Sequence, residues 1–140
     1  MQQRLYVSFE TDIVDDWVEN AAGHIVTPSG KNVLNYIADK LKANGVVVTP
    51  TLQHSSYGWA FWAEYRGVRF YCLVQRLKLW LVTVRPARTL VDRFLFRSRT
   101  AENRAFADMV VQIMGRDPRF KDIALQSEDE FRTTARSRQR

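Results

Sequence analysis

Hydrophobic and polar residues alternate along several segments of the chain, which is the pattern of a half-buried β-strand. Residues 4–10, 57–74 and 79–85 alternate in this way. Three consecutive β-branched residues at 46–48 add a short buried strand that Pro50 stops. These patterns predict an antiparallel meander that the valine strand extends and that the N-terminal strand could also join.

The segment 57–74, YGWAFWAEYRGVRFYCLV, is dense in aromatic residues and predicts a hairpin with a two-residue turn at Arg66 and Gly67. This turn places Glu64 opposite Arg69, a favourable pair of charges that supports the register. One face of the hairpin then carries Tyr57, Trp59, Phe61, Phe70 and Val74. With a three-residue turn near residues 76–78, the next strand adds Trp80, Val82 and Val84 to that first face.

Apolar residues at helical spacing predict two long helices besides the strands. One covers Ser29–Asn44 and ends before Gly45, and another starts at Thr100 and ends near Gly115. We expect both helices to pack on the first face of the sheet.

A further helix is predicted at Asp12–Ala22, with Thr11 as its N-cap. Its outer face would carry the acidic residues Asp12, Asp15, Asp16 and Glu19. That face could hold a cation or meet a basic protein, and it could also be simply solvated near a helix N-terminus.

Towards the C-terminus, Ile123–Leu125 predicts a short edge strand. Ser127 and Glu130 have the spacing of a capping box for a brief helix that contains Phe131. The remaining residues, 133–140, are polar and basic, and we expect them to be disordered.

The length of 140 residues and the hydrophobic content of 46% fit one compact domain, which we place at residues 1–132. The expected fold class is α+β, an antiparallel meander sheet with helices packed mainly on one face.

No stretch has the roughly 18 to 20 uninterrupted apolar residues that cross a bilayer, and residues 1–4 do not begin a signal peptide. The one cysteine, Cys72, agrees with a reducing compartment. We therefore expect a cytoplasmic protein with no membrane span.

Positive charge is concentrated in the second half of the chain. Residues 1–64 hold four Lys/Arg against seven Asp/Glu, whereas residues 65–140 hold seventeen against eight. Such asymmetry suits attraction to phosphate, to anionic lipid or to an acidic protein.

The second face of the predicted sheet carries more large apolar side chains than a solvated face needs, namely Trp62, Tyr71, Leu73 and Leu81. Three explanations remain open at this point. A helix of the same chain, a symmetric second copy or a binding partner could cover this face.

Six arginines lie between residues 85 and 104 against two acidic residues, and FLF at 94–96 lies among them. The arginines are Arg85, Arg88, Arg93, Arg97, Arg99 and Arg104. This segment could dock a phosphate or carboxylate, with Phe94 and Phe96 against a base or a lipid headgroup. It could equally be a solvated basic face whose phenylalanines anchor a connection to the core.

Catalysis has little support in the sequence. His24 and His54 lack metal-ligand spacing, and Cys72 is expected to point into the core, where a thiol stays neutral. A hydrolase that uses His54 with the neighbouring serines has no third orienting group. We expect no enzyme, no cofactor and no bound metal.

The pattern YGW, F, GVRF, LVQ and WL, followed by PARTLVDR, DPRFKDI and EDEF, resembles a group of small uncharacterised bacterial α+β proteins over residues 57–131. The resemblance implies a bacterial α+β domain and assigns no activity, so no functional residue is transferred from it.

The sequence therefore predicts a non-catalytic protein-binding module, for example a bacterial accessory or immunity-type protein. The predicted partner-binding residues are Trp62, Tyr71, Leu73, Arg85, Arg88, Arg93, Phe94, Phe96, Arg97 and Arg99. The alternative is nucleic-acid binding through residues 85–104 and the basic tail. A homodimer would also be compatible with the exposed aromatic face.

Overall fold

A computed structural model of the protein describes residues 4–54, 58–95 and 98–138. Its helices and antiparallel strands confirm the predicted α+β class. The strands are β1 (Leu5–Thr11), β2 (Val18–Glu19), β3 (Ile25–Thr27), β4 (Val47–Val48), β5 (Leu52–His54), β6 (Gly58–Tyr65), β7 (Val68–Arg76), β8 (Trp80–Pro86) and β9 (Phe120–Ser127). The helices are α1 (Lys31–Ala43), α2 (Leu90–Phe94), α3 (Thr100–Gly115) and α4 (Glu128–Arg138).

The main sheet has seven strands, and its central path runs β4-β6-β7-β8-β1-β9. Strand β5 pairs with β6 beside β4, so the two short strands lie along the same edge with Pro50 between them. The meander β6-β7-β8 is the predicted one. The N-terminal strand β1 lies inside the sheet, antiparallel to both β8 and β9.

The β6–β7 hairpin has the predicted register, with Tyr65 opposite Val68 and Glu64 opposite Arg69. Its turn needs a positive φ at both central residues, and Arg66 and Gly67 have φ values of 52° and 77°. These values suit a type I′ turn, whose twist matches that of the flanking strands. The three-residue connection from β7 to β8 likewise places Trp80, Val82 and Val84 on the first face, as predicted.

Helices α1 and α3 cover the first face and close the hydrophobic core. Phe70 of β7 stacks on Phe106 of α3 with ring centroids 4.3 Å apart, and both are fully buried. Trp59 is bound to the segment that precedes α1, because its indole nitrogen donates to the Pro28 carbonyl at 2.9 Å. Cys72 points into this core, as predicted.

The predicted helix at Asp12–Ala22 is wrong. This segment has no helix; it contains strand β2, which pairs antiparallel with β3 beyond the segment. Its apolar residues Val14 and Trp17 are 76% and 44% exposed, so no tertiary surface stabilises a helical face here.

Two acidic residues of this segment bind the start of α1 rather than forming an acidic helix face. The Asp15 carboxylate accepts a hydrogen bond from the Ser29 hydroxyl at 2.8 Å. The Asp16 carboxylate accepts from the backbone N–H groups of Gly30 and Lys31 at 3.3 and 3.1 Å. Aspartate favours such side-chain to backbone bonds over the helix interior.

The C-terminal elements are longer than predicted. Strand β9 extends well beyond Ile123–Leu125, and the Ser127 hydroxyl caps α4 by accepting from the Glu130 N–H at 3.2 Å. Helix α4 continues to Arg138, so the structure has a helix over much of the segment for which we expect disorder. Phe131 stacks on Tyr6 with centroids 4.6 Å apart, so α4 covers the β1 side of the second face.

Candidate functional site: a basic cleft with aromatic side chains

The second face of the sheet carries a row of alternating cationic and aromatic groups on β6, β7 and β8. The rings of Trp62 and Tyr71 are 4.9 Å apart and tilted by 60°. The Arg69 guanidinium lies 4.7 Å from the Trp62 ring centroid, and the Arg85 guanidinium lies 4.8 Å from that of Tyr71. Both aromatic rings are only half-buried, and each already contacts a cation.

Strand β5 and the residues that connect it to β4 make hydrogen bonds to the aromatic pair. His54 of β5 is exposed, and its Nδ1 lies 2.7 Å from the Tyr71 hydroxyl. The Thr49 hydroxyl accepts a hydrogen bond from the Trp62 backbone N–H at 2.9 Å. Partial burial raises the pKa of Tyr71, so its phenol stays neutral at physiological pH and can both donate and accept a hydrogen bond.

The chain leaves the sheet at Pro86, one residue after Arg85 of the second face. The Ala87 N–H still donates to the Arg69 carbonyl at 2.8 Å, so the ladder ends just beyond the proline. Thr89 and Asp92 then form a capping box, with each side chain accepting at 3.1 Å from the other residue's backbone N–H. This box starts the short helix α2 beside the aromatic pair.

A bidentate ion pair ties α2 to the start of α3. Arg99 donates from Nε and Nη2 to the two carboxylate oxygens of Asp92 at 3.1 and 2.8 Å. The Asp92 side chain is 1% exposed. The hydrogen bonds from Arg99 lower the pKa of Asp92, and those to Asp92 raise the pKa of Arg99. Arg99 also contacts Glu102 at 3.3 Å, so its charge is compensated within the chain.

A cleft of about 310 Å³ lies between the second face of the sheet, residues 86–88, Arg93 of α2 and residues 98–100. Six of the ten predicted partner-binding residues line it. They are Trp62, Tyr71, Arg85, Arg88, Arg93 and Arg99. The second sheet face and the arginine segment, which the sequence presents as separate surfaces, therefore meet in one site.

Three of the four arginines that line the cleft have no carboxylate partner in the described part of the chain. Within residues 4–54, 58–95 and 98–138, Arg85, Arg88 and Arg93 form no ion pair with a carboxylate. The Nε of Arg88 is buried, and no described residue accepts a hydrogen bond from it. A buried N–H donor without an acceptor costs free energy, and because this Nε is closed to solvent, a ligand in the cleft would recover it only after a turn of the Arg88 side chain.

Two further predicted residues, Leu73 and Phe94, are described and do not line the cleft. Leu73 is half-buried on the second face, two residues along β7 from Tyr71. Phe94 lies on α2 and is 83% exposed. Phe96 and Arg97 lie outside the described residues.

Helix α2 and its C-cap residue Leu95 expose four large apolar side chains beside the cleft. Leu90, Val91, Phe94 and Leu95 are 81%, 61%, 83% and 52% exposed. Apolar side chains grouped in this way are typical of a contact surface. The interpretation of the phenylalanines as anchors to the core is therefore wrong for Phe94.

Several residues of the site were not predicted. The sequence suggests only a catalytic role for His54, whereas the structure shows a contact with the Tyr71 hydroxyl. Arg69 was placed opposite Glu64, and only its diagonal position across the strands could have indicated its contact with Trp62. The hydroxyls of Ser98 and Thr100, 3.3 Å apart, also line the cleft, and their sequence context gives no sign of it.

Three further observations concern metal ligands, the cysteine thiol and membrane-spanning helices. Among the described residues, no group of three His, Cys, Asp or Glu side chains could hold a metal ion. Burial raises the pKa of the Cys72 thiol and keeps it neutral. No helix within the described ranges has the length and apolar character to cross a membrane.

No protein-family model matches the sequence, and searches of curated proteins and of solved structures found no significant match to this chain. The resemblance to small bacterial proteins therefore stays a prediction.

Proposed function

We propose that the protein is a non-catalytic binding module that engages another protein through the basic cleft and the adjacent apolar surface of α2. The observation that carries the proposal is the convergence in one cleft of Trp62, Tyr71 and three arginines that have no carboxylate partner among the described residues. Aromatic residues and arginine are the residue types enriched at protein–protein interfaces. A bacterial accessory or immunity-type role remains one version of this proposal.

The exposed side chains of α2 favour a protein partner. Leu90 and Phe94 together offer an apolar contact beside the charged cleft, and an interface commonly combines such a contact with a polar rim. The base of a nucleic acid would have to stack on Trp62 or Tyr71, and Arg69 and Arg85 already contact these rings. Stacking would require the displacement of a guanidinium or the use of a ring's other face.

The proposal is tested by recovery of a partner with matched variants. Tagged wild-type protein, Trp62→Ala and Arg93→Glu are used to recover partners from a bacterial lysate, with Arg116→Glu as the control. Arg116 is exposed just beyond the end of α3, so Arg116→Glu changes the charge by the same amount as Arg93→Glu but outside the cleft. We expect a stoichiometric protein to be recovered by the wild type and the control and lost in both cleft variants. Equal recovery by all four proteins would overturn the proposal.

Nucleic-acid binding is the second candidate, because the same arginines can contact phosphates. It predicts recovery that is lost on nuclease treatment. It also predicts an affinity for single-stranded DNA that falls steeply between about 50 and 200 mM salt, since phosphate contacts release counterions. A protein partner retained after nuclease treatment would reject this candidate as the main function.

A further inference from the structure

We infer that the cleft is an oxyanion-binding subsite centred on Arg88, which accepts a carboxylate or phosphoryl group carried next to an apolar or aromatic group. The inference rests on the proposed function, because it names the group by which the partner would enter the cleft. An acidic residue and a phosphorylated residue of the partner are the two sources of this chemistry.

The balance of charge inside the cleft calls for an anion. The buried carboxylate of Asp92 already accepts hydrogen bonds from Nε and Nη2 of Arg99, and Glu102 contacts Nη1 of the same guanidinium. The carboxylates close to the site therefore compensate Arg99 and leave Arg85, Arg88 and Arg93 without a counter-charge among the described residues. Three guanidinium groups around one small volume favour a ligand with one or two negative charges.

The donors of the cleft suit an oxyanion in particular. The Nε–H of Arg88 is buried and has no acceptor in the described part of the chain. The Ser98 hydroxyl lines the same cleft and accepts from the Thr100 hydroxyl at 3.3 Å, so its own proton can be donated to a ligand. Guanidinium donors match the planar geometry of a carboxylate and two oxygens of a phosphoryl group.

The size and the aromatic side of the cleft indicate what the oxyanion is attached to. A volume of about 310 Å³ is near the lower end of small-molecule sites and admits a side-chain-sized group. The half-buried rings of Trp62 and Tyr71 provide the apolar contact for such a group. An inorganic anion alone would leave this contact unused.

The test uses three small probes that share a benzene ring: benzoate, phenyl phosphate and the uncharged benzyl alcohol. The full chain is labelled with ¹⁵N, and the Arg88 side-chain Nε–H and Trp62 indole signals are assigned by their loss in Arg88→Gln and Trp62→Phe. We expect at least one anion to shift both signals in a saturable way at millimolar concentration, and benzyl alcohol to shift neither to a similar extent.

Variants separate a specific site from general positive charge. Arg88→Gln is expected to weaken binding of the anion at least about tenfold, whereas Arg104→Gln removes the same charge outside the cleft and should leave the affinity within about twofold. Arg88→Lys keeps the charge without the fork of donors and should weaken binding by an intermediate factor. A tighter affinity for phenyl phosphate indicates a phosphorylated source, and a tighter affinity for benzoate indicates an acidic residue.

Three results would overturn the inference: no saturable shift with either anion, equal shifts with benzyl alcohol, or an affinity that Arg88→Gln leaves unchanged. Its failure is distinguishable from failure of the proposed function. A partner lost in Trp62→Ala but bound normally by Arg88→Gln supports the binding module and rejects the subsite. Saturable anion binding at Arg88 without any partner that depends on the cleft supports the subsite and rejects the proposed function.

Discussion

The two faces of the central sheet carry similar aromatic side chains in different surroundings. On the first face, Phe70 packs on Phe106 under α3 and is excluded from solvent. On the second face, the neighbouring residue Tyr71 is half-buried between Trp62 and Arg85. The density of aromatic residues therefore does not distinguish a buried sheet face from a partly exposed one. The groups that contact the rings distinguish them: an apolar ring on the first face and a guanidinium on the second.

Asp117 on the covered side and Arg88 on the cleft side differ in whether their polar atoms have hydrogen-bond partners. On the side of α1 and α3, the Asp117 carboxylate accepts from the Tyr36 hydroxyl, from the Arg119 N–H at 3.0 Å and from Lys40 at 3.1 Å. On the cleft side, Arg88 retains a buried donor without an acceptor among the described residues. The Asp15 Oδ1 near the start of α1 is a buried acceptor that also lacks a hydrogen-bond partner among the described residues, so what distinguishes Arg88 is its position in a cleft with other arginines and not the unpaired donor alone.

The largest expected effect is on the stability of the covered face. Phe70→Ala removes a fully buried ring and should lower the free energy of unfolding by about 3 to 5 kcal/mol, measured by urea denaturation. The matched control is Tyr71→Ala, the adjacent residue on the other face, for which we expect a clearly smaller loss. Equal losses would show that the two faces do not differ in packing.

A second prediction concerns the polar network on the covered side. The hydrogen bond from Tyr36, with those from the Arg119 N–H and Lys40, lowers the pKa of Asp117 from 3.8 to about 2. Because the folded-state pKa is depressed, the stabilisation is present above about pH 4 and is lost as the pH falls towards 2. Asp117→Asn should therefore lower the free energy of unfolding by about 1 to 3 kcal/mol at neutral pH, and less near pH 2.

Urea denaturation at several pH values measures this difference. Asp108→Asn is the control, since Asp108 pairs with Arg104 on the exposed surface of α3 and should contribute little. A stability difference between wild type and Asp117→Asn that stays constant from pH 2 to pH 7 would contradict the assigned network.

A third prediction separates binding from stability on the cleft side. Trp62→Ala removes a half-buried ring and its contact with Arg69, so we expect the free energy of unfolding to fall by about 1 to 2 kcal/mol. The affinity for the partner should fall at least about tenfold, as measured by calorimetry once the partner is recovered. An affinity unchanged in a folded variant would remove Trp62 from the interface.

The smallest effect on stability is expected at the exposed rim of the cleft. Arg93→Gln should change the free energy of unfolding by no more than about 0.5 kcal/mol, because the side chain is exposed and forms no ion pair among the described residues. The association rate with an anionic partner should still decrease, and the decrease should diminish at higher salt. Stopped-flow association at two salt concentrations measures both.

The sequence by itself determined the features that depend on local geometry. The alternation of side chains along a strand and the turn at Arg66 and Gly67 were sufficient for the register of the β6–β7 hairpin and for the division of its residues between two faces. The long helices α1 and α3 were also predicted, because an apolar stripe at helical spacing has a sheet face available to cover it.

Only the tertiary structure decided the features that depend on residues distant in the chain. Val14 and Trp17 belong to an apolar pattern with helical spacing, but both remain exposed, and the aspartates between them bind the start of α1. The cleft likewise exists because the Asp92–Arg99 ion pair joins α2 to the start of α3, and because these residues meet the second face of the sheet at Trp62 and Tyr71. Local periodicity carries no information on these contacts, since their free energy comes from groups that meet only in the folded chain.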